Sequence, residues 1–338
     1  MVALLIALLL LGLLVIPVAQ VIFVAFQDPA TGAATLQNFA DFFATSLFRE
    51  SFWNSFYVSA MSVVLATIIA LPLAYITTRF HFSGSIIIQS LGFIPLIMPP
   101  FVGAVAMQLI FGRNGTINLL LRDYFGFTIP FMDGLNGVIL VQSIHYFPFI
   151  LINLSASLRN IDRSMEEAAQ NLGSHGLRLF RRIVFPLAMP GYIAGAALVF
   201  IKVFDDLGTP LLLNVNNMLA PQAFLRISSI GISDPMGYVI SCILVVFSVL
   251  SLWASFLVMR GKDYATVQKG GGGTAKRELK SSEKVLAYGV VIFILLVVLS
   301  PHLGLLLLSL GTIWSFAPLP DAYTLQNYVT MWEGSKTY

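Results

Sequence analysis

The chain has 338 residues, of which 57% are hydrophobic and only 10% are charged. A soluble domain usually carries about 25% charged residues, so this composition excludes an ordinary soluble protein and predicts an integral membrane protein. The formal net charge of +3 is too small to indicate a nucleic-acid partner, and the single cysteine, Cys242, excludes a disulfide framework and a cysteine-based metal site.

Seven segments are long and apolar enough to cross a bilayer, which takes about 20 residues of helix. Several carry proline or glycine, as in GFIPLIMPPFVG, and bilayer helices tolerate these where neighbouring helices or a cavity satisfy the freed backbone groups. We therefore predict an all-helical membrane fold with spans near Val2–Phe26, Ser55–Thr77, Ser85–Phe111, Leu135–Leu158, Pro190–Leu213, Met236–Met259 and Val285–Gly311.

The basic residues predict the orientation of these spans. With the N-terminus in the cytoplasm, 13 of the 19 lysines and arginines fall in cytoplasmic loops and five fall outside, while Lys202 lies within a span. Cytoplasmic loops of membrane proteins carry such an excess, so we expect a cytoplasmic N-terminus. A signal peptide is the alternative for the first span, but the segment lacks a basic n-region and is longer than a usual h-region.

An internal repeat with an offset of 289 residues also supports a real first span. TLQNF begins at Thr35 and TLQNY at Thr324, each after an apolar span interrupted by one proline. We interpret residues 1–262 as a first six-span unit, residues 263–284 as a flexible Gly- and Lys-rich cytoplasmic linker, and residues 285–338 as the first span and outer loop of an incomplete second unit. Chance similarity between short motifs is the alternative. We expect the working form to need the remaining spans, from the same polypeptide or from a second chain.

The stretch MEEAAQNLGSHGLRLFRRIVFPLAMPG places charged, helix-forming residues between two predicted spans. Ser164 is predicted to cap a helix in a capping box with Glu167, and Gly173 to end that helix in a left-handed conformation. A second short helix should run from Ser174 until Pro186 stops it. Such a structured connection predicts a docking element, although an interfacial amphipathic helix without a partner would share its periodicity.

The same residues resemble the EAA loop of binding-protein-dependent inner-membrane permeases of ABC importers. The matching positions are Glu167, Ala168, Ala169, Gly173, Pro186, Leu187, Pro190 and Gly191. PLIMPPFVGAVA and FDDLGTPLLL are similar to the iron(III)-type branch, whose chains fuse two permease halves. The resemblance implies a six-span permease unit in a bacterial inner membrane and a coupling loop, at about residues 158–190, that fits a cleft in a cytoplasmic ATPase. The implied ATPase-coupling residues are Ser164, Glu166, Glu167, Ala168, Ala169, Gly173 and Pro186.

The sequence contains no motif with which the chain would hydrolyse ATP itself. A P-loop requires Gly-Lys followed by Ser or Thr, and the nearest stretches, RGKDY and GGGGTAKRE, lack it. The four histidines are scattered, so we propose neither a metal site nor a cofactor. We expect this chain not to be an enzyme and ATP hydrolysis to occur in a separate subunit.

The fifth predicted span contains charged residues in VFIKVFDDLGTP. Lys202 is three residues from Asp205 and four from Asp206, so either pair would lie on one helix face. Charged groups in a bilayer are costly and often mark a transport pathway, which predicts a polar translocation path with a helix break at Pro210. A structural ion pair or a helix end at the outer interface is the alternative.

The resemblance implies the permease subunit of an ATP-driven importer, with a periplasmic binding protein, ATPase subunits, a second permease half and membrane lipid as its partners. The resemblance favours iron(III) as the substrate, although polyamine, phosphonate, thiamine and sulfate permeases share much of the pattern. The rival interpretation is a secondary transporter that uses Lys202, Asp205 and Asp206 as coupling groups for an ion gradient.

Overall fold

A computed structural model describes residues 2–231, 234–260, 276–314 and 317–334. The described chain is almost entirely helical, as the apolar spans predict. The helices are α1 Val2–Leu10, α2 Ile16–Ala25, α3 Gln37–Ala44, α4 Ser46–Arg79, α5 Ser85–Leu91, α6 Pro100–Phe111, α7 Thr116–Phe125, α8 Gly134–Arg159, α9 Arg163–Asn171, α10 Gly176–Leu179, α11 Phe185–Phe204, α12 Gly208–Leu212, α13 Leu219–Ser229, α14 Pro235–Met259, α15 Ser281–Leu310 and α16 Gln326–Gly334.

Two π-helical segments join successive helices without a break. Leu11–Val15 connects α1 to α2, and Phe180–Val184 connects α10 to α11. The 3₁₀ turn Ile94–Leu96 lies between α5 and α6, and two short parallel strands, β1 Phe80–His81 and β2 Arg277–Glu278, pair Phe80 with Arg277.

Six helices in the described chain are long and apolar enough to span a membrane, or seven if one bent pair counts as a span. The predicted third span, Ser85–Phe111, is that bent pair: Ser85–Leu96 and Pro100–Phe125 meet at an angle of 103°. Pro99 and Pro100 at the bend lack backbone N–H groups and cannot continue the helical hydrogen bonds. The all-helical membrane fold is therefore confirmed, but its third span is broken.

The centre of the molecule is formed by α4, α8 and α11, which pack against one another. Small residues permit this packing, because Ser51, Ser55, Ser59 and Ser62 occupy a fully buried face of α4 at helical spacing. Larger side chains such as Phe147 on α8 fill the remaining core.

Two glycines set the distance between α11 and α8. A Cβ atom on Gly195 would lie 2.7 Å from the Ile150 Cα atom, and one on Gly191 would overlap the Asn153 carbonyl oxygen. Because the obstructing atoms are backbone, no side-chain rearrangement would relieve them. The Gly191–Gly195 pair in the sequence thus marks a close helix crossing.

The two copies of the TLQN motif have the same local structure. The Asn38 amide donates to the carbonyl oxygens of Ala25 and Gln27, and the Asn327 amide donates to those of Ser309 and Gly311, all at 2.9–3.0 Å. Each asparagine thereby fastens a short helix to the end of the preceding long helix. The first helices of the two copies nevertheless pack differently, since α2 lies against α14 whereas α15 lies against α6.

Most of the predicted linker, residues 263–275, lies outside the described residues. Beyond it, Arg277 and Glu278 form β2, and α15 begins at Ser281, four residues before the predicted start of that span. The pairing of β1 with β2 places the start of α15 beside the end of α4.

Candidate functional site

The charged stretch forms two short helices, α9 and α10, at the end of the molecule where α4 ends; we call residues 163–179 the α9–α10 segment. The N-cap of α9 is Asp162, whose Oδ1 atom accepts a hydrogen bond of 2.8 Å from the Ser164 backbone N–H. That bond lowers the pKa of Asp162. The predicted cap at Ser164 and its capping box with Glu167 are therefore wrong, because Ser164 is already the second residue of the helix.

Gly173 ends α9 as predicted. Its φ of +84° is left-handed, and the Ser174 N–H donates to the Ala169 carbonyl oxygen at 2.9 Å. This bond satisfies a carbonyl group that the end of the helix would otherwise leave unpaired. A Cβ atom on Gly173 would meet nothing within 4 Å, so glycine is required here for its backbone conformation alone.

The second helix begins at Gly176, not at Ser174, and Pro186 does not stop it. The helix continues from Gly176 through the π-helical turn to Phe204, with Pro186 at its surface. The π-helical turn Phe180–Val184 displaces the usual hydrogen bonds and ends two residues before Pro186, which cannot donate one. Pro190 lies inside this helix, so it does not open the fifth span as predicted.

The outer face of the α9–α10 segment combines apolar and polar side chains. Leu172 is 89% exposed and Leu177 is 71% exposed. Glu167 and Ala168 are also exposed, whereas Ala169 is buried. Leu177, Phe180 and Ile183 are apolar at helical spacing, but Leu177 faces outward whereas Phe180 and Ile183 pack against the core. Exposed leucines on a structured helical turn form a surface suited to a protein partner.

The inner face of α9 is fixed to α4 by an ion pair. Arg79 Nη1 lies 2.6 Å from Glu166 Oε1, and only 8% of the arginine side chain and 17% of the glutamate side chain are exposed. A cavity of about 550 Å³ adjoins the pair and is also lined by Gln170, His175 and Lys276. In the sequence, Arg79 was used only as one of the basic residues that predict the orientation of the spans. Its position at the end of a long apolar helix is the feature that could have indicated a structural role.

The predicted translocation-path residues are arranged differently from expectation. Helix α11 ends at Phe204, so Asp205 and Asp206 follow the helix. Among the described residues, Lys202 forms no ion pair with either carboxylate. The predicted pairing on one helix face is wrong because that face ends before the aspartates.

Asp206 instead joins α8 to the break after α11. Its Oδ2 atom accepts hydrogen bonds from Gln142 Nε2 at 2.7 Å and from the Thr209 backbone N–H at 3.1 Å. Asp205 accepts a hydrogen bond of 3.0 Å from the Ser248 hydroxyl on α14. The predicted break is present, with Pro210 buried in α12.

A family model described as "Binding-protein-dependent transport system inner membrane component" matches residues 62–264. This chain belongs to that family. The match includes the α9–α10 segment and the break after α11, so both lie in the family domain. The chain is a membrane transport component, and family membership does not favour the ion-gradient interpretation.

Curated relatives of this permease have several different substrates in their names. The ferric transport system permease protein FbpB of Actinobacillus pleuropneumoniae is 26% identical over 243 residues, covering 71% of this chain and 35% of the relative. The molybdenum transport system permease protein ModB of Haemophilus influenzae is 32% identical over 154 residues, covering 46% and 66%. This permease thus spans about a third of the length of FbpB.

Solved structures show the same fold. A bacterial ABC transporter that imports the acidic polysaccharide alginate has a TM-score of 0.59 at 14% sequence identity, covering 75% of this permease and 93% of that chain. The alginate transporter in complex with its pentasaccharide-bound periplasmic protein gives 0.60 at 15% identity, covering 80% and 95%.

Gln142 was not among the site residues predicted from the sequence of the permease. This side chain is fully buried within α8, and a glutamine in an apolar run was the signal available. Its Oε1 atom and the Thr209 hydroxyl are buried without a hydrogen-bond partner among the described residues. Buried polar groups without partners are costly, so this cluster lowers the stability of the conformation described here.

We expect Asp206→Leu to destabilise the folded protein by about 2–6 kcal/mol and to lower uptake, because losing the carboxylate leaves the Gln142 amide and the Thr209 N–H unpaired, at about 1–3 kcal/mol each. The measurement is uptake in proteoliposomes together with the amount of folded permease. Asp205→Leu is the matched control, since among the described residues one side chain, Ser248, donates a hydrogen bond to Asp205. The loss of Asp205 should therefore have a smaller effect. Equal effects of the two changes would contradict a special role for Asp206.

Proposed function

We propose that this chain is the membrane-spanning component of an ATP-driven importer and that the α9–α10 segment docks onto a cytoplasmic ATPase. The observation that carries the proposal is the combination of an exposed outer face, with Leu172 and Leu177, and an inner face fixed to α4 by Glu166. Docking on one face and attachment on the other are what a transmitting element requires. The proposed coupling residues are Ser164, Glu166, Glu167, Ala168, Ala169, Gly173 and Pro186.

ATP binding and hydrolysis would change the shape of the ATPase cleft and move the α9–α10 segment. A conformational equilibrium shifts only if the ligand makes different contacts in its two states, and this segment is where such contacts would form. The broken region after α11, with Lys202, Asp205, Asp206 and Pro210, would then line the route of the solute. The hydrogen bonds of Asp206 to both α8 and α12 support this, because they join the elements that would have to move.

The proposed substrate is iron(III) or a similar small solute delivered by a periplasmic binding protein. Curated relatives named for ferric iron, molybdenum, sulfate and 2-aminoethylphosphonate transport support a small solute. The alginate transporter in complex with its periplasmic protein supports delivery by such a partner. The test is uptake of each solute by proteoliposomes that contain the permease with its second half, the ATPase and the binding protein. Uptake without ATP, driven by an ion gradient, would overturn the proposal.

A second permease half, in the same polypeptide or in another chain, is part of this proposal. The matching Asn38 and Asn327 bonds support interpreting residues 1–262 as one unit, 263–284 as a linker and 285–338 as the start of another. Two units would provide two docking segments for two ATPase subunits.

The proposal requires an inner-membrane protein with the α9–α10 segment and the N-terminus in the cytoplasm. In a Cys242→Ser background, we expect Arg181→Cys to be protected from a membrane-impermeant thiol reagent in intact cells and Asn217→Cys to react. Arg181 lies near the start of the spanning helix Gly176–Phe204, and Asn217 lies beyond the other end of that helix. Reaction of Arg181→Cys in intact cells would contradict the orientation and the docking role together.

A further inference from the structure

Two kinds of contact connect the inner face of α9 to the spanning helices. Ala169 contributes a buried methyl group to the core, and Glu166 contributes its ion pair with Arg79. Methyl contacts are non-directional and weak one by one, whereas an ion pair of 2.6 Å between two largely buried groups resists their separation. Displacement of α9 is therefore transferred to α4 most directly through the ion pair.

Arg79 is well placed for this role because it is the last residue of α4, which packs against both α8 and α11. The side chain is 92% buried, so water screens the pair poorly. Removing one member would leave an uncompensated buried charge, which is far more damaging than loss of an exposed pair.

The Arg79 guanidinium can also donate further hydrogen bonds. Its Nε and Nη2 atoms are buried and have no hydrogen-bond partner among the described residues. The Arg79 side chain lines the 550 Å³ cavity that Gln170, one helical turn beyond Glu166, also lines. A modest movement of α9 along the cavity would bring another acceptor to these nitrogens, so the same arginine can hold α9 in more than one position.

We propose that Arg79 is a positioning residue for energy coupling: its ion pair with Glu166 transmits displacement of the α9–α10 segment to α4. This inference rests on the proposed docking function of the segment. Arg79 itself need not touch the ATPase, because its role is to hold α9 from the inner face.

The test uses the full permease complex with its ATPase and binding protein. Arg79→Met and Glu166→Gln should leave co-purification of the ATPase intact while lowering the number of solutes moved per ATP by about 5- to 150-fold, the range of a typical coupling free energy. The double variant Arg79→Glu with Glu166→Arg should recover much of the loss, which would show that the two charges act as a pair. The readout that a merely structural role would not move is the fall in solutes moved per ATP while ATPase binding stays intact.

Arg277→Met is the matched control. Arg277 lines the same cavity and pairs with Glu283 at 3.0 Å, but 54% of its side chain is exposed and its partner is on α15. This variant should retain the solute-to-ATP ratio. A fall equal to that of Arg79→Met would overturn the inference, because any disturbance of the cavity would then suffice.

Other outcomes distinguish a failure of the proposed role of Arg79 from a failure of the proposed docking function. Normal coupling in both single variants, or loss of ATPase binding by either, would overturn the role of Arg79 while the unaltered complex still showed ATP-driven uptake. Failure of the unaltered complex to bind the ATPase or to take up solute would instead overturn the proposed function. If Arg79→Met does not accumulate, Glu166→Gln decides, since it preserves the shape of the side chain and one acceptor oxygen.

Discussion

Gly195→Ala is expected to destabilise the permease even though alanine is the better helix former. The added Cβ atom would lie 2.7 Å from the Ile150 Cα atom and 2.8 Å from the Phe149 carbonyl oxygen. Since both are backbone atoms of α8, the two helices would have to separate, and overpacking of this kind typically costs about 1–3 kcal/mol. The measurements are the thermal unfolding midpoint in detergent and the amount of folded protein in the membrane.

Gly289→Ala provides the control for this prediction. Gly289 is exposed on α15 and has no atom within 4 Å of an added Cβ. The change should be neutral or stabilising by up to about 1 kcal/mol, because alanine has the higher helix propensity. A Gly195→Ala protein as stable as the Gly289→Ala protein would show that α11 and α8 do not cross this closely.

Gly173→Val is expected to abolish most uptake while the protein still accumulates in the membrane. At a φ of +84° a β-branched residue is strained by about 1–3 kcal/mol, and the cheapest relief is to unwind the end of α9. Unwinding would displace Leu172, the most exposed leucine of the docking face. Co-purification of the ATPase and ATP-driven uptake measure the effect.

Gly126→Val is the matched control, because Gly126 ends α7 at a φ of +74° and likewise has open space around an added Cβ. It imposes similar backbone strain away from the α9–α10 segment. Normal ATPase binding in Gly173→Val, or an equal loss in Gly126→Val, would contradict the proposed role of this turn.

Part of the candidate site could be predicted from the sequence because it depends on the conformation of one or a few neighbouring residues. The left-handed end of α9 was predicted from Gly173, since only glycine adopts that conformation without strain. The cap was predicted wrongly, because Asp162 and Ser164 are both good capping residues. Ile161, directly before Asp162, is buried in the core. That burial depends on tertiary packing, which the local sequence does not reveal.

The predicted translocation-path residues show what helical spacing in the sequence cannot predict. Lys202, Asp205 and Asp206 would share a helix face only if the helix continued, and spacing alone does not reveal that α11 ends at Phe204. The real partner of Asp206 is Gln142, 64 residues away, which no local rule connects to it. Likewise, the π-helical turn before Pro186 allows the helix to continue where proline alone predicted a stop.

The sequence by itself determined the membrane class, the all-helical fold, most spans and the Gly173 turn. Each follows from the hydrophobicity of about 20 consecutive residues or from the conformational range of one residue. The tertiary structure alone decided the 103° bend in the third span, the Gly195 crossing and the Arg79–Glu166 ion pair. These features depend on which helices are neighbours. The effect of a buried charge, or of a glycine without a side chain, is set by the atoms that another helix places beside it.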